Sequence, residues 1–139
     1  MRAVLDPNAI ISGLLSPTGK AARLLAAWVR GEFELVVSPA LLDELERALG
    51  YPKLRRHIPE EDARAVLRWL AESAAPVEDP PAPPPVRSAD SEDDYLIALA
   101  ASRGAILVSG DRHLLDLAGQ IPVIEPALFL EQLAEESDE

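Results

Sequence analysis

The amino-acid sequence predicts an α/β fold in which a mainly parallel sheet is covered by helices on both faces. Short apolar runs typical of strands alternate with helical patterns along the chain, and this alternation is typical of parallel strands joined by crossover helices. The chain has 139 residues, of which 48% are hydrophobic and 27% are charged. This length and composition fit one globular domain with a core of its own.

The individual elements follow from local patterns. Apolar runs predict four strands, at residues 2–5, 34–37, 105–108 and 122–124. Helical spacing of apolar residues predicts helices at 21–28, 39–49, 60–73, 93–103 and 126–135, with a short helix at 112–117. The helix 39–49 is the best marked, because Ser38 is a favourable N-cap, Pro39 suits the first helical position and Gly50 stops the helix.

The composition of two segments bears on domain organisation. Six of the 13 prolines lie between Pro76 and Pro85, which predicts a stiff, extended connection that is too short to separate two domains. The acidic end of the chain, residues 135–139, predicts a frayed and solvated tail. We therefore expect a single domain over residues 1–134, followed by this tail.

Composition also excludes several classes of protein. The chain has no cysteine and only two histidines, so a disulfide scaffold, a thiolate zinc site and a cysteine nucleophile are excluded. No apolar run approaches the roughly 20 residues of a membrane helix, and no signal peptide precedes the first strand, so we expect a cytoplasmic protein without a membrane partner. The net charge of −11 argues against a passive, basic nucleic-acid binder, but it is compatible with an enzyme that recruits divalent cations.

Two aspartates follow the ends of predicted strands. Asp6 comes directly after residues 2–5, and Asp111 follows residues 105–108 after a Ser-Gly pair. Because the carboxyl ends of parallel strands open on one crevice, we expect both side chains at the same edge of the sheet. Each aspartate also has a purely structural explanation, since it can cap the following helix or form an Asx-turn.

Further acidic residues lie at helical positions. Glu44 falls at the border of the apolar face of its helix, about 40° from Ala48 at 100° per residue. A carboxylate there needs a partner, and an arginine such as Arg23 or Arg112 would serve as well as a cation. Glu92-Asp93-Asp94 begins a buried helix, where acidic side chains also interact favourably with the helix dipole.

These acidic residues together predict a metal site. Carboxylates that converge on one cleft cannot all remain ionised without a cation. Oxygen ligands without cysteine or histidine favour Mg²⁺ or Mn²⁺, and such an ion can activate water for attack on a phosphate. No serine–histidine grouping typical of a catalytic triad and no glycine-rich phosphate loop offers a competing chemistry.

Three stretches of the sequence resemble the PIN domain family. They are Val-Leu-Asp-Pro-Asn at 4–8, Ser-Pro-Ala-Leu-Leu-Asp-Glu-Leu at 38–45, and Asp-Ser-Glu-Asp-Asp-Tyr-Leu-Ile-Ala-Leu-Ala at 90–100 followed by Ile-Leu-Val-Ser-Gly-Asp-Arg-His-Leu-Leu at 106–115. Each motif alone is common, but their order and spacing are specific and extend over nearly the whole chain. The pattern is most similar to VapC-like toxins of type II toxin–antitoxin pairs.

The resemblance implies a three-layer α/β/α sandwich and an endoribonuclease that hydrolyses RNA phosphodiesters with Mg²⁺ or Mn²⁺. The catalytic and metal-binding roles that it implies fall on Asp6, Glu44, Asp94 and Asp111. The supporting roles fall on Asn8, Ser109 and Asp93, with Asp90 as a further possible ligand. It also implies an antitoxin as protein partner and a homodimer, formed through the tryptophan-bearing helices at 20–30 and 60–73.

One position departs from the family pattern. The family usually has threonine where this chain has Pro7, and proline removes a hydroxyl and a backbone N–H beside the site. A catalytically impaired PIN-like module that binds RNA or a protein is therefore the alternative. A phosphoaspartyl enzyme that uses Asp6 as acceptor is disfavoured, because it needs a late lysine and the only lysines are Lys20 and Lys53.

A basic segment follows the helix that carries Glu44. It contains Lys53, Arg55, Arg56 and His57. Since phosphates need cations that this acidic chain otherwise lacks, we hypothesise that the segment contacts the RNA backbone. A solvated turn is the structural alternative.

Overall fold

A five-stranded parallel sheet forms the centre of the molecule. The structure is a computed structural model that describes residues 1–137. The strands are β1 (Arg2–Leu5), β2 (Glu34–Val37), β3 (Ala75–Pro76), β4 (Ile106–Val108) and β5 (Val123–Ile124), in the spatial order β3-β2-β1-β4-β5. All four strand pairings are parallel, so the predicted α/β class is confirmed.

Helices enclose this sheet on both sides. They are α1 (Pro7–Leu15), α2 (Lys20–Val29), α3 (Pro39–Leu49), α4 (Pro52–Arg55), α5 (Glu60–Ser73), α6 (Asp94–Arg103), α7 (Arg112–Leu115) and α8 (Pro126–Ser137), with a 3₁₀ turn at Ser91–Asp93. Successive residues of a strand point to opposite faces, and Ala3, Val4 and Leu5 of β1 are each at most 1% exposed. Both faces of the sheet are therefore covered, which confirms the three-layer sandwich.

Some elements differ from the prediction. β3 was not predicted, and it contains Pro76. It is an edge strand of the sheet, a position that tolerates proline. α1 was not expected either. Pro7 occupies its first position, where the missing N–H would have no partner within the helix.

The C-terminal end also differs from the prediction. α8 continues to Ser137, so Glu135 and Glu136 of the expected frayed tail are helical, and both are exposed. Asp138 and Glu139 lie outside the described residues.

The position of α1 depends on one glycine. A Cβ atom on Gly13 would lie 2.8 Å from Leu25 Cδ1 and 3.0 Å from the Ala21 carbonyl oxygen of α2. Only a hydrogen fits between the two helices at this point, so α1 packs directly on the backbone of α2. This contact holds the helix whose first turn follows Asp6.

A proline-rich segment connects β3 to α6. Residues 77–90, which we call the strap, contain no helix or strand and are anchored at both ends. Near its start, Asp79 Oδ2 accepts a hydrogen bond of 2.9 Å from the Ala40 N–H in the first turn of α3. Near its end, the Ser88 N–H donates to Asp94 Oδ1 at 2.8 Å. The strap therefore links the beginnings of α3 and α6.

The described part of the chain contains no helix that is both long enough and apolar enough to cross a membrane.

Candidate active site at the carboxyl ends of β1 and β4

The connectivity of the sheet opens a crevice beside β1. From β1 the chain moves to β2 and β3 on one side, and it then returns to β4 on the other side. At such a reversal the helices leave in opposite directions and expose the carboxyl ends of the two central strands. A cavity of about 330 Å³ lies there, and Asp6, Asn8 and Asp111 are among its lining residues. The structure thus brings together the two aspartates that follow the strands, as predicted.

A single hydroxyl links these two aspartates. Asp6 is 4% exposed, and its Oδ2 atom accepts a 2.7 Å hydrogen bond from Ser109 Oγ. The same Oγ atom accepts a 3.0 Å hydrogen bond from the Asp111 N–H. Asp6 Oδ1 accepts a third bond, of 3.0 Å, from the Asn8 N–H. Ser109 therefore fixes the orientation of Asp6 and the position of the turn that carries Asp111.

The electrostatic environment of Asp6 opposes its negative charge. Burial raises the pKa of Asp6 above its ordinary value. The hydrogen bonds from Asn8 and Ser109 lower the pKa, and the neighbouring Asp111 carboxylate raises it again. The net effect is a raised pKa, so the hydrogen bonds only partly offset the burial of the charge.

Asp93 lies close enough to Asp6 and Asp111 for their charges to act on it. It is half-buried, and within the described part of the chain its Oδ2 atom is buried without a hydrogen-bond partner. Burial, followed by the charges of Asp111, Asp6 and Asp90, raises the pKa of Asp93 to about 7. Every charge that acts on this group is another carboxylate. Asp93 is therefore a destabilised anion among acidic neighbours.

Asp94 interacts with the strap through both of its carboxylate oxygens. Its Oδ1 atom accepts a hydrogen bond from the Ser88 N–H, and its Oδ2 atom lies 3.2 Å from Nη1 of Arg87. The charges of Asp6 and Asp111 act on the neighbouring residue, Asp93.

Glu44 lies on α3, where it is half-buried, and it interacts with Tyr95 of α6. No Arg23 or Arg112 ion pair to Glu44 occurs in residues 1–137. Burial, followed by a hydrogen-bond interaction with Glu44 and by the charge of this carboxylate, raises the pKa of Tyr95. Tyr95 had no predicted role. A polar aromatic residue in an otherwise apolar, buried helix nevertheless indicates a position beside a polar site.

The basic segment divides into two parts. Lys53 and Arg56 are exposed. Arg55 instead packs back on the end of α3, with Nη2 at 3.6 Å from the position of a Cβ atom on Gly50 and with Nη1 buried and unpartnered in the described structure. Three of the four residues of the segment, Lys53, Arg56 and His57, are therefore exposed, and Arg55 is only partly so.

The suitability of this crevice for a metal ion rests on its donors. Among residues 1–137, no three acidic or histidine side chains are arranged closely enough to hold an ion as they stand. The donor chemistry nevertheless fits a hard divalent cation, because every candidate ligand is a carboxylate oxygen. In a cluster of carboxylates whose charges no cation neutralises, raised pKa values are expected. Asp6 and Asp93 have raised pKa values, and one oxygen of Asp93 has no hydrogen-bond partner among the described residues.

Comparisons with known proteins agree with the fold. Residues 2–113 match the PIN domain family. The uncharacterized protein MJ1680 of Methanocaldococcus jannaschii is 26% identical over 117 residues, which cover 84% of this chain and 75% of that protein. PAE2754 from Pyrobaculum aerophilum has a similar structure, with a TM-score of 0.62 at 20% identity over 97% of this chain and 96% of its own.

A further structural neighbour is FitAcB from Neisseria gonorrhoeae, with a TM-score of 0.58 at 19% identity over 89% of this chain and 97% of its own. At these identities the two solved structures support the fold. The match to the family covers most of the chain and includes Asp6, Glu44, Asp93 and Asp111. The chain belongs to the PIN domain family.

Proposed function

We propose that the chain is an endoribonuclease that hydrolyses RNA phosphodiesters with Mg²⁺ or Mn²⁺ bound at the carboxyl ends of β1 and β4. PIN domains are generally nucleases, and they generally use divalent metals. The observation that carries the proposal is Asp93, a half-buried carboxylate with one unpartnered oxygen whose charged neighbours are all acidic. A cation is the group that would turn this repulsion into attraction.

The acidic residues have separable roles in this proposal. Asp6, Asp93 and Asp111 would hold the ion, with Glu44 on the opposite wall as the fourth acidic residue of the site. Asp93 thereby takes the ligand role that the family resemblance implied for Asp94. When bound, the ion would supply an activated water molecule and stabilise negative charge on the phosphate. Ser109 contributes by fixing the carboxylate of Asp6 through its 2.7 Å hydrogen bond.

A cleavage assay tests the proposal. We expect the protein to cut a mixture of RNAs in Mg²⁺ or Mn²⁺ and to be inactive in chelator. Asp6→Asn should be inactive in every condition, whereas Asp116→Asn, an exposed aspartate at the end of α7, should match the wild type. Cleavage that persists in chelator, or in Asp6→Asn, would contradict the metal mechanism.

The alternative is a catalytically impaired PIN-like module, suggested by Pro7. Pro7 lies at the first position of α1, where a backbone N–H has no partner within the helix. The Asn8 N–H still donates to Asp6, and the Asp6 carbonyl oxygen still accepts from Ala9 N at 2.8 Å. This intact turn favours the nuclease. RNA binding without cleavage in any metal would favour the module.

We further infer that the chain is the toxin of a toxin–antitoxin pair. This inference rests on the similarity of its motifs to the VapC-like group, and an antitoxin would then be its protein partner. Expression of the chain alone should stop bacterial growth, and expression of Asp6→Asn should not. Co-expression with the product of a neighbouring small open reading frame should restore growth. Normal growth in the presence of active nuclease would contradict this role.

A homodimer through α2 and α5 is also part of the proposal. Trp28 of α2 and Trp69 of α5 contact each other within the chain, with ring centroids 4.7 Å apart. Beside this pair, Val29 is 66% exposed, which leaves apolar surface for a second copy. Light scattering should give a dimer for the wild type and a monomer for Val29→Glu. A monomeric wild type at micromolar concentration would contradict the proposal.

A further inference from the structure

A second and larger cavity lies next to the proposed metal site. It measures about 540 Å³, and its lining includes Glu44 and Arg47 of α3 and Tyr51, which lies two residues beyond the end of this helix. The opposite wall includes Asn8 and Tyr95. We call this cavity the α3 groove. Because Asn8 also lines the cavity at Asp6, the groove begins where the proposed site ends.

Tyr51 is an exposed aromatic residue on a fixed backbone. Its side chain is 56% exposed at the outer end of the groove. Its carbonyl oxygen accepts hydrogen bonds from Leu54 N at 3.0 Å and Arg55 N at 2.9 Å, and its own N–H donates to Ala48 O at 3.2 Å. These bonds hold the junction between α3 and α4. An exposed aromatic ring on such a junction offers a flat, pre-positioned apolar face.

Arg47 is the cation of the groove. It is exposed in the last turn of α3, one turn beyond Glu44, and no carboxylate in the described residues forms an ion pair with it. Among residues 1–137, four of the eleven arginines form ion pairs, and Arg47 is one of the seven that do not. It is available for a ligand that carries negative charge or a π-face.

We propose that the α3 groove binds an unpaired base of the substrate, stacked on Tyr51 and contacted by Arg47. The inference rests on the proposed nuclease function and names the substrate as single-stranded. Stacking of bases on aromatic rings and arginine contacts are the general means by which proteins hold unpaired nucleotides. Glu44 and Tyr51 line the same cavity from α3 and from the turn that follows it, so we assign the base to a nucleotide neighbouring the one that is cleaved.

Acidic residues also line the groove, namely Asp43, Glu44 and Glu92. A carboxylate accepts hydrogen bonds only, and every RNA base presents at least one N–H donor on its Watson–Crick edge, so this lining does not select among the bases.

Steady-state cleavage of a fluorescein-labelled single-stranded RNA of 12 nucleotides in Mn²⁺ tests the inference. Arg47→Ala and Tyr51→Ala should each raise KM about tenfold, in the range measured for loss of one stacked base, with kcat little changed. Tyr51→Phe keeps the ring and should behave as the wild type. Arg68→Ala, an exposed arginine on α5, is the matched control and should also be unchanged.

Two outcomes separate this inference from the proposed function. If the wild type cleaves RNA and both alanine variants keep its KM, the groove does not bind the substrate and the inference is wrong. If the wild type cleaves nothing, the nuclease proposal fails, and fluorescence anisotropy with the same labelled RNA then tests the groove. An unchanged Kd for both variants would overturn it. Tyr51→Leu and Arg47→Gln replace any alanine variant that circular dichroism shows to be unfolded.

Discussion

Two adjacent aspartates at the start of α6 have opposite environments. Asp94 is buried, and both of its oxygens have partners in the strap, the Ser88 N–H and the Arg87 guanidinium. Asp93 is half-buried, has an unpartnered oxygen within the described part of the chain and lies among other carboxylates. A buried carboxylate whose oxygens accept hydrogen bonds stabilises the fold. A buried carboxylate oxygen without a partner lowers the free energy of unfolding, and a bound ligand can offset this loss. From this comparison we propose a structural role for Asp94 and a ligand role for Asp93.

The largest expected effect is on activity. Asp93→Asn should lower kcat/KM by at least about a hundredfold, because weaker binding of the metal removes several kcal/mol of stabilisation from the transition state. Asp94→Asn keeps an oxygen acceptor for Ser88 and should stay within about threefold of the wild type. Initial rates of RNA cleavage in Mn²⁺ measure both. The reverse order of the two variants would mean that Asp94 is the ligand.

A second prediction concerns stability in the absence of metal. Asp94→Ala should lower the free energy of unfolding by about 1–2 kcal/mol, since the Ser88 N–H loses its acceptor. The exposed Arg87 contributes little to this loss because its charge is screened by solvent. Asp93→Ala should be as stable as the wild type or more stable, because repulsion is removed. Urea unfolding in chelator measures both changes, and a larger loss for Asp93→Ala would contradict the comparison.

A third prediction uses the metal as a ligand of the folded state. At a hundred times its Kd, Mn²⁺ stabilises a protein by about 2.7 kcal/mol, so Tm of the wild type should rise by several degrees. The shift should be much smaller for Asp6→Asn, which should also be at least as stable as the wild type in chelator. Asp94→Asn should keep the full shift. Equal shifts for wild type and Asp6→Asn would show that Asp6 is not a ligand.

The smallest expected effect is on RNA affinity. Lys53→Ala/Arg56→Ala should weaken RNA binding and reduce the slope of log affinity against log salt by about 1.4, because each phosphate that a cation neutralises on a single strand adds about 0.7 to this slope. Arg55→Ala should leave the slope unchanged, because its guanidinium packs on the end of α3. Fluorescence anisotropy at several salt concentrations measures the slopes. Equal changes for the two proteins would mean that Arg55 also binds RNA.

The sequence was informative where local signals and topology agree. Ser38 accepts a hydrogen bond from Leu41 N, and Gly50 follows the last residue of α3, as predicted. Asp6 and Asp111 meet at one edge because parallel strands end together. Both are also N-caps, of α1 and α7, so the structural explanation of these residues is confirmed, and it is compatible with the proposed function.

The sequence was not informative where long-range contacts decide. Asp93 and Asp94 are chemically identical, and only the 3₁₀ turn at Ser91–Asp93 and the contacts of the strap determine which one faces the crevice. β3 forms because Val37 O accepts a 2.9 Å bond from Val77 N, an interaction between segments that are far apart in the sequence. Local propensity contains no information on either pairing.

The strap also determines how much conformational entropy the site loses when a substrate binds. Its five prolines restrict the unfolded chain, so fixing this segment opposes folding less than it would for a flexible loop of equal length. One of its anchors is the first turn of α3, at Ala40, and the other is the first turn of α6, at Asp94. These turns begin the two elements that face each other across the α3 groove. The distance between α3 and α6 is thus set during folding. A nucleic acid that bound in the α3 groove would therefore contact elements that are already ordered.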